Sequence, residues 1–219
     1  MSAAMKPILF STPMVQAILD GRKTMTRRVM KDCTQFDIEE AELLENNGYN
    51  LTHNYKMSIE SVGIFSTKEK LLNWFVAKYS KYQVGDVLWV RETTWEVDCD
   101  CQPPWCCSRT FGYRADEYDF NGVRCSVKTI PSIFMPKEHA RIFLRVTNVR
   151  VERLQDISVE DIKKEGAPLI TITGNNEDFI NSKLKGWWYD LWNSINGKGA
   201  WEANPFVFVY EFQRVEKPC

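Results

Sequence analysis

Hydrophobic positions along this chain switch repeatedly between a period of two and a period near 3.6, and those switches mark out its elements. Lys6 to Phe10 reads as a short strand. In the following STPMVQAILDG, Met14, Ala17 and Ile18 share one helical face. Ser11 or Thr12 can cap the free amides, Pro13 suits the first turn, and Gly21 suits a left-handed stop. RKTMTRRV therefore begins where a helix ends and runs into an alternating, β-branched segment. From about residue 30 to 82 the pattern changes. FDIEEAELLENNGYN is acidic and helix-prone, and TKEKLLNWFVAKYSKY is amphipathic, offering Leu71, Leu72, Trp74 and Phe75 to a core. This region reads as an inserted helical lobe.

Gly85-Asp86 is a turn, and residues 87 to 92 form a strand with Val87, Trp89 and Arg91 on one face and Leu88, Val90 and Glu92 on the other. A Cys-rich loop or hairpin spans about 98–122. ARIFLRVTNVRVERL is a long strand, with Ile142, Leu144 and Val146 on one side and a bulge near Asn148. LQDISVEDIKKEGAP carries a short helix capped by Ser158, with Asp161 at the capping-box position, Ile157 and Ile162 as the staple, and Gly166 as the stop. Asp178 to Asn196 is a helix whose Phe179, Leu184, Trp187, Trp188, Leu191, Trp192 and Ile195 recur at core-face spacing. NPFVFVYEFQRV closes the chain as a strand, with Phe206, Phe208, Tyr210 and Phe212 on one face. This order predicts an α+β fold, a small mixed β-barrel with helices packed on it, built as a single domain over residues 1–219.

Composition narrows the function. The chain has 219 residues, 44% of them hydrophobic and 13% aromatic, enough for a substantial core. The formal net charge of −1 argues against strong sequence-independent nucleic-acid binding, so any such contact must come from a local patch. No apolar run approaches the roughly 20 residues of a membrane span, and the first residues lack the apolar core of a signal peptide. No membrane partner is therefore expected. Seven cysteines, an odd number, fit a reducing cytoplasm. Cys99, Cys101, Cys106 and Cys107 lack the paired C-x2-C knuckles of a zinc site, and His53 and His139 are isolated, so neither metal nor cofactor is expected.

The stretch GRKTMTRR, from Gly21 to Arg28, concentrates four cations and two threonines in eight residues. Read from the residues alone, it is a solvated helix exit, a phosphate clamp or the floor of an active site. Together with VGDVLWVRETTW, the long strand, ISVEDIKKEGAP and the closing WEANPFVFVYEFQRV, it resembles the ASCH domain, a PUA-like β-barrel family, and in particular its longer bacteriophage and prophage members. The resemblance covers about two-thirds of the chain, mainly 6–29, 82–95 and 137–215. Small bacterial members include an acetylcytidine amidohydrolase, which removes an acetyl group from the exocyclic nitrogen of cytosine; others are described as ribonucleases or RNA-binding modules. The resemblance implies catalytic roles for Lys23, Thr26 and Glu165 on a nucleoside or nucleic acid; the small members have only a brief link between the basic motif and the Gly-Asp strand, where some fifty residues intervene here, and have no counterpart to the Cys-rich segment.

Such chemistry has requirements. Thr26 attacks only if a base takes its proton. Lys23 can be that base if its pKa falls by roughly 3 units from about 10.4, and Arg22, Arg27 and Arg28 could supply the neighbouring positive charge. Glu165 would manage the proton of the departing amine. In the rival assignment Lys23 stays charged beside the oxyanion and Glu165 activates water. Lys23 and Thr26 are three apart and would diverge in a flat strand, so their convergence requires Lys23 to remain in the turn after Gly21, or a bulge. Trp89, Arg91 and Glu92 are further candidates for substrate contact, against core packing for Trp89 and a structural ion pair for Arg91. The aromatic face of residues 184–195 could stack bases but has core spacing. Two other readings stay open: a nucleic-acid-binding module or ribonuclease in which Lys23, Arg27 and Arg28 hold phosphates, and a phage accessory or assembly protein without catalysis.

Overall fold

Eight strands and four α-helices assemble around two sheets in the computed structural model, which describes residues 5–30, 68–98, 111–116, 126–169 and 177–218. Among those residues, β1 (Lys6–Leu9), α1 (Thr12–Leu19) and β2 (Met25–Val29) come first. Helix α2 (Lys68–Tyr79) leads to β3 (Val87–Arg91), β4 (Thr94–Asp98), β5 (Phe111–Tyr113) and β6 (Ser126–Ile130). Strand β7 (Phe143–Arg153), helices α3 (Val159–Lys164) and α4 (Glu177–Asn196), and β8 (Phe206–Val215) complete the fold. The fold is α+β. The main sheet has the order β1-β3-β7-β8-β2, antiparallel except for the β1–β3 pair. A second antiparallel sheet has the order β5-β4-β6.

Strand β8 shows why the sheet is covered on both sides. Its Phe206, Phe208, Tyr210 and Phe212 enter one core cluster with α1 and α2, while Val207 and Val209 enter another with α3 and α4. The bulge expected near Asn148 is present as a register shift between Val146 and Asn148. Ile142, Leu144 and Val146 share the first cluster, as their alternation implies. The stripe of α4 is shorter than its periodicity suggests. Leu184, Trp188 and Trp192 are buried, but Phe179 is 45% and Ile195 60% exposed, which corrects their assignment to the core face.

Among the described residues the five strands do not close into a barrel, and β1 and β2 remain the edges of an open sheet. The edges nevertheless approach each other. Arg28 on β2 donates from Nη2 to the Leu9 carbonyl on β1. The opening between them holds the site described below. Helix α2 lies within the expected insertion, and its Phe75 is 2% exposed in the main core. The rest of the insertion up to residue 67, and Cys99, Cys101, Cys106 and Cys107 of the Cys-rich loop, lie outside the described residues. No helix among the described residues is long and apolar enough to cross a membrane.

Candidate active site

Helix α1 ends at Asp20, and Gly21 takes φ 74°, the left-handed conformation that glycine adopts without a Cβ penalty. The chain then folds back, with both Arg22 N–H and Lys23 N–H donating to the Ala17 carbonyl. Lys23 thus belongs to the turn, not to β2, and forms an isolated bridge with Glu165. This is the break that convergence with Thr26 requires. Thr26 lies on β2 opposite Tyr210 and is 3% exposed.

Glu165 arrives from the other direction. Ser158 Oγ accepts the Asp161 N–H and so caps α3. The helix ends at Glu165, followed by Gly166 at φ 95°. A Cβ at Gly166 would lie 2.9 Å from Ala17 Cβ and 3.1 Å from Lys23 Cβ. The missing side chain therefore lets α1, the Lys23 turn and the end of α3 pack in contact. As a result Lys23 Nζ lies 2.8 Å from Glu165 Oε2 and 2.8 Å from the Glu165 carbonyl oxygen. An ammonium has three protons to donate, so one remains after these two bonds.

Lys23 and Glu165 are 4% and 2% exposed. Burial pushes the Lys23 pKa below its ordinary value. The Glu165 carboxylate opposes that shift, while Arg28 and Arg27 add to it. Two of the three arginines expected to depress Lys23 thus do so. Arg22 is occupied elsewhere, paired with Asp20 at 2.8 Å and donating to the carbonyls of Gly166 and Ala167.

Arg27 is the hinge of a wider ionic network. Its Nη1 reaches Glu165 Oε1 at 3.1 Å, and its Nη2 pairs with Glu152 and with Asp161 at 2.7 Å. Burial alone would lower its pKa, but Glu165, Glu152 and Asp161 outweigh that and raise it, so the guanidinium is permanently charged. Arg150 extends the network outward to Asp161, Glu152 and Glu211. Three cations (Lys23, Arg27 and Arg150) thus face four carboxylates (Glu152, Asp161, Glu165 and Glu211). Asp161 was legible as a capping residue, yet its carboxylate serves Arg27 and Arg150. Glu152 and Arg150 carried no sequence signal beyond their place on the polar side of a long strand.

Lys23, Thr26 and Glu165 all line one cavity of about 490 Å³. Because β2 is an edge strand, both its faces reach this opening, and Arg27 and Arg28 line it as well. Phe10 and Met14 form one wall, and Trp188, Leu191 and Trp192 of α4 form another. The two tryptophans are both core residues and cavity wall. Among the described residues no hydrogen bond involves the Thr26 hydroxyl.

The remaining candidates lie elsewhere. Trp89 is 6% exposed in a separate apolar cluster with Met135 and Phe143, as core packing predicts. The Arg91 guanidinium carbon lies 5.0 Å from the Trp89 ring centroid, and its buried Nε has no hydrogen-bond partner. Glu92 is 1% exposed and held by two bonds from Arg141, which also pairs with Asp116. None of these three, nor Arg22, lines the cavity.

The fold and the geometry define an α+β protein with a buried lysine–glutamate pair and a threonine around one opening. Comparison with protein-family models, with curated proteins and with solved structures returns no match to this chain.

Proposed function

We propose that the chain is an ASCH-type, PUA-like protein and that its cavity hydrolyses the acylated exocyclic amine of a cytidine-like base. The observation that carries this reading is the meeting of Lys23, Thr26 and Glu165 at one cavity with apolar and aromatic walls. A cavity of that size is in the range that holds a small organic ligand.

In this mechanism Lys23, its ammonium disfavoured by burial, accepts the Thr26 hydroxyl proton. Thr26 Oγ1 attacks the acyl carbon, and the collapsing tetrahedral adduct breaks the bond to the ring amine. The amine leaves as the neutral base after taking the proton from Lys23, whose own Nζ Glu165 holds in place. Water then attacks the acyl-threonine, giving up one proton to the Lys23–Glu165 pair; the adduct collapses with cleavage of the bond to Thr26 Oγ1, which takes that proton back as the carboxylic acid leaves. Arg27 keeps Glu165 ionised and oriented throughout.

The phosphate-clamp reading of the basic stretch is less well supported. Of Lys23, Arg27 and Arg28, the first two are spent on buried carboxylates. The cavity floor therefore offers little uncompensated positive charge to a phosphate. A purely structural role would leave a buried ion-pair network at a cavity without use, although such networks are costly to desolvate.

The test is to incubate purified protein with acetylcytidine and measure cytidine by mass spectrometry. Release that is lost in Thr26→Val and in Lys23→Met supports the reading. No release by the wild-type protein rejects this substrate.

A further inference from the structure

Arg28 has a second neighbourhood. On the far side of Leu9, Arg28 and Val29, which line both openings, lies another cavity of about 720 Å³. Its wall carries three cations, Arg28, Lys78 and Lys81, and three tyrosines, Tyr79, Tyr82 and Tyr210, with no aspartate or glutamate among the described lining residues. Among the described residues none of the three cations has a carboxylate partner, in contrast to Lys23, Arg27 and Arg150. Two of the cations lie against aromatic rings. Lys78 Nζ lies 4.5 Å from the Trp74 ring centroid and 5.1 Å from that of Tyr79, and Lys81 Nζ lies 5.2 Å from that of Tyr82. Tyr82 and Tyr210 form a fixed floor, edge to face at 5.1 Å, with the Tyr82 hydroxyl donating to the Pro7 carbonyl. Tyr79 is 37% exposed at the rim.

We propose that this second cavity binds a single-stranded nucleic acid, with phosphodiesters across Arg28, Lys78 and Lys81 and a base stacked on Tyr79. A concave wall that sets cations beside aromatic rings suits a ligand that alternates negative charge with flat π-faces. A nucleic-acid strand has that alternation at every nucleotide, whereas an anionic lipid surface has the charge without the rings and an acidic peptide lacks the regular repeat of the two. The shared wall gives the strand its register: where the first cavity takes the target base, as proposed above, Arg28 holds the adjoining phosphate. That register rests on the deacylase reading, while the binding itself does not. The net charge of −1 is no obstacle, because the unpaired cations are gathered on one wall.

Fluorescence anisotropy with a labelled oligocytidine of about six nucleotides, in ribose and deoxyribose forms, tests the site on the full chain. The wild-type protein should bind the strand with a log–log salt slope of about −2, three phosphates at roughly 0.7 each. Lys78→Ala/Lys81→Ala should weaken binding by about tenfold or more at low salt and reduce the slope to about −0.7. Both lysines are exposed, so the melting temperature should be unchanged. Absence of strand binding, an unchanged affinity in the double variant, or equal competition by polyglutamate overturns the proposal. Strand binding without any cytidine release would reject the deacylase reading and leave this site standing; the reverse pattern would reject this site alone.

Discussion

Lys23 is the residue on which charge and burial compete most directly. Its pKa is lowered in the folded protein, chiefly by desolvation and despite the Glu165 carboxylate. Between that lowered value and the ordinary value of about 10.4, the unfolded chain holds a proton that the folded chain has released. Raising the pH through this window therefore favours folding, and the destabilisation is fully present below the folded pKa. Urea unfolding over a pH series should show this rise in the wild-type protein and its loss in Lys23→Met, read as the difference between the two. Identical pH dependence would mean that the amine is not desolvated. At this scale the sequence was informative where a residue's role follows from local geometry. The lysine in a turn after a glycine was legible. The ionic partners of Arg27 were not, because Glu152, Asp161 and Glu165 come from elements more than 120 positions away.

Helix α3 and its ends set the position of Glu165. Gly166 is left-handed, and its missing Cβ makes room for Ala17 and Lys23. Gly166→Ala should cost roughly 1 to 3 kcal/mol through backbone strain, measured by chemical denaturation. It should also reduce any turnover by more than the loss of folded protein explains, since Lys23 must shift. Ser158→Ala removes only the cap and should cost about 1 kcal/mol with turnover per folded molecule retained. The contrast separates anchoring the helix from shaping the site. Elements with a strong period were legible: α1, β7 with its bulge, α3 with its cap, and β8. The buried stripe of α4 was overestimated at both ends because periodicity records an apolar face and not the extent of the layer beneath it. Trp188 and Trp192 defeated an either-or reading, since a residue on a core face can also wall a cavity.

For the whole molecule, the sheet order brings the two edge strands together, and the network behind them connects four elements: β2, β7, α3 and β8. Such connection predicts non-additivity. Glu165→Gln leaves Lys23 and Arg27 short of a buried partner and should cost about 3 kcal/mol. Combined with Asp161→Asn it should deviate from additivity by at least about 0.5 kcal/mol, measured as a double-mutant cycle in urea. Strict additivity would mean that the two carboxylates act on Arg27 independently. The α+β class was legible from the order of elements. The open edge between β1 and β2 was not, because closure of a sheet depends on pairings that no local pattern encodes.

The proposed deacylation requires that Thr26 be acylated at this cavity. Intact-protein and peptide mass spectrometry after rapid quenching, with acetylcytidine and the Glu165→Gln variant, tests it most directly. The expected result is one acetyl group on the peptide that carries Thr26, absent in Thr26→Val. Cytidine release by Thr26→Val at the wild-type rate, with no acetylated peptide in any variant, would contradict it.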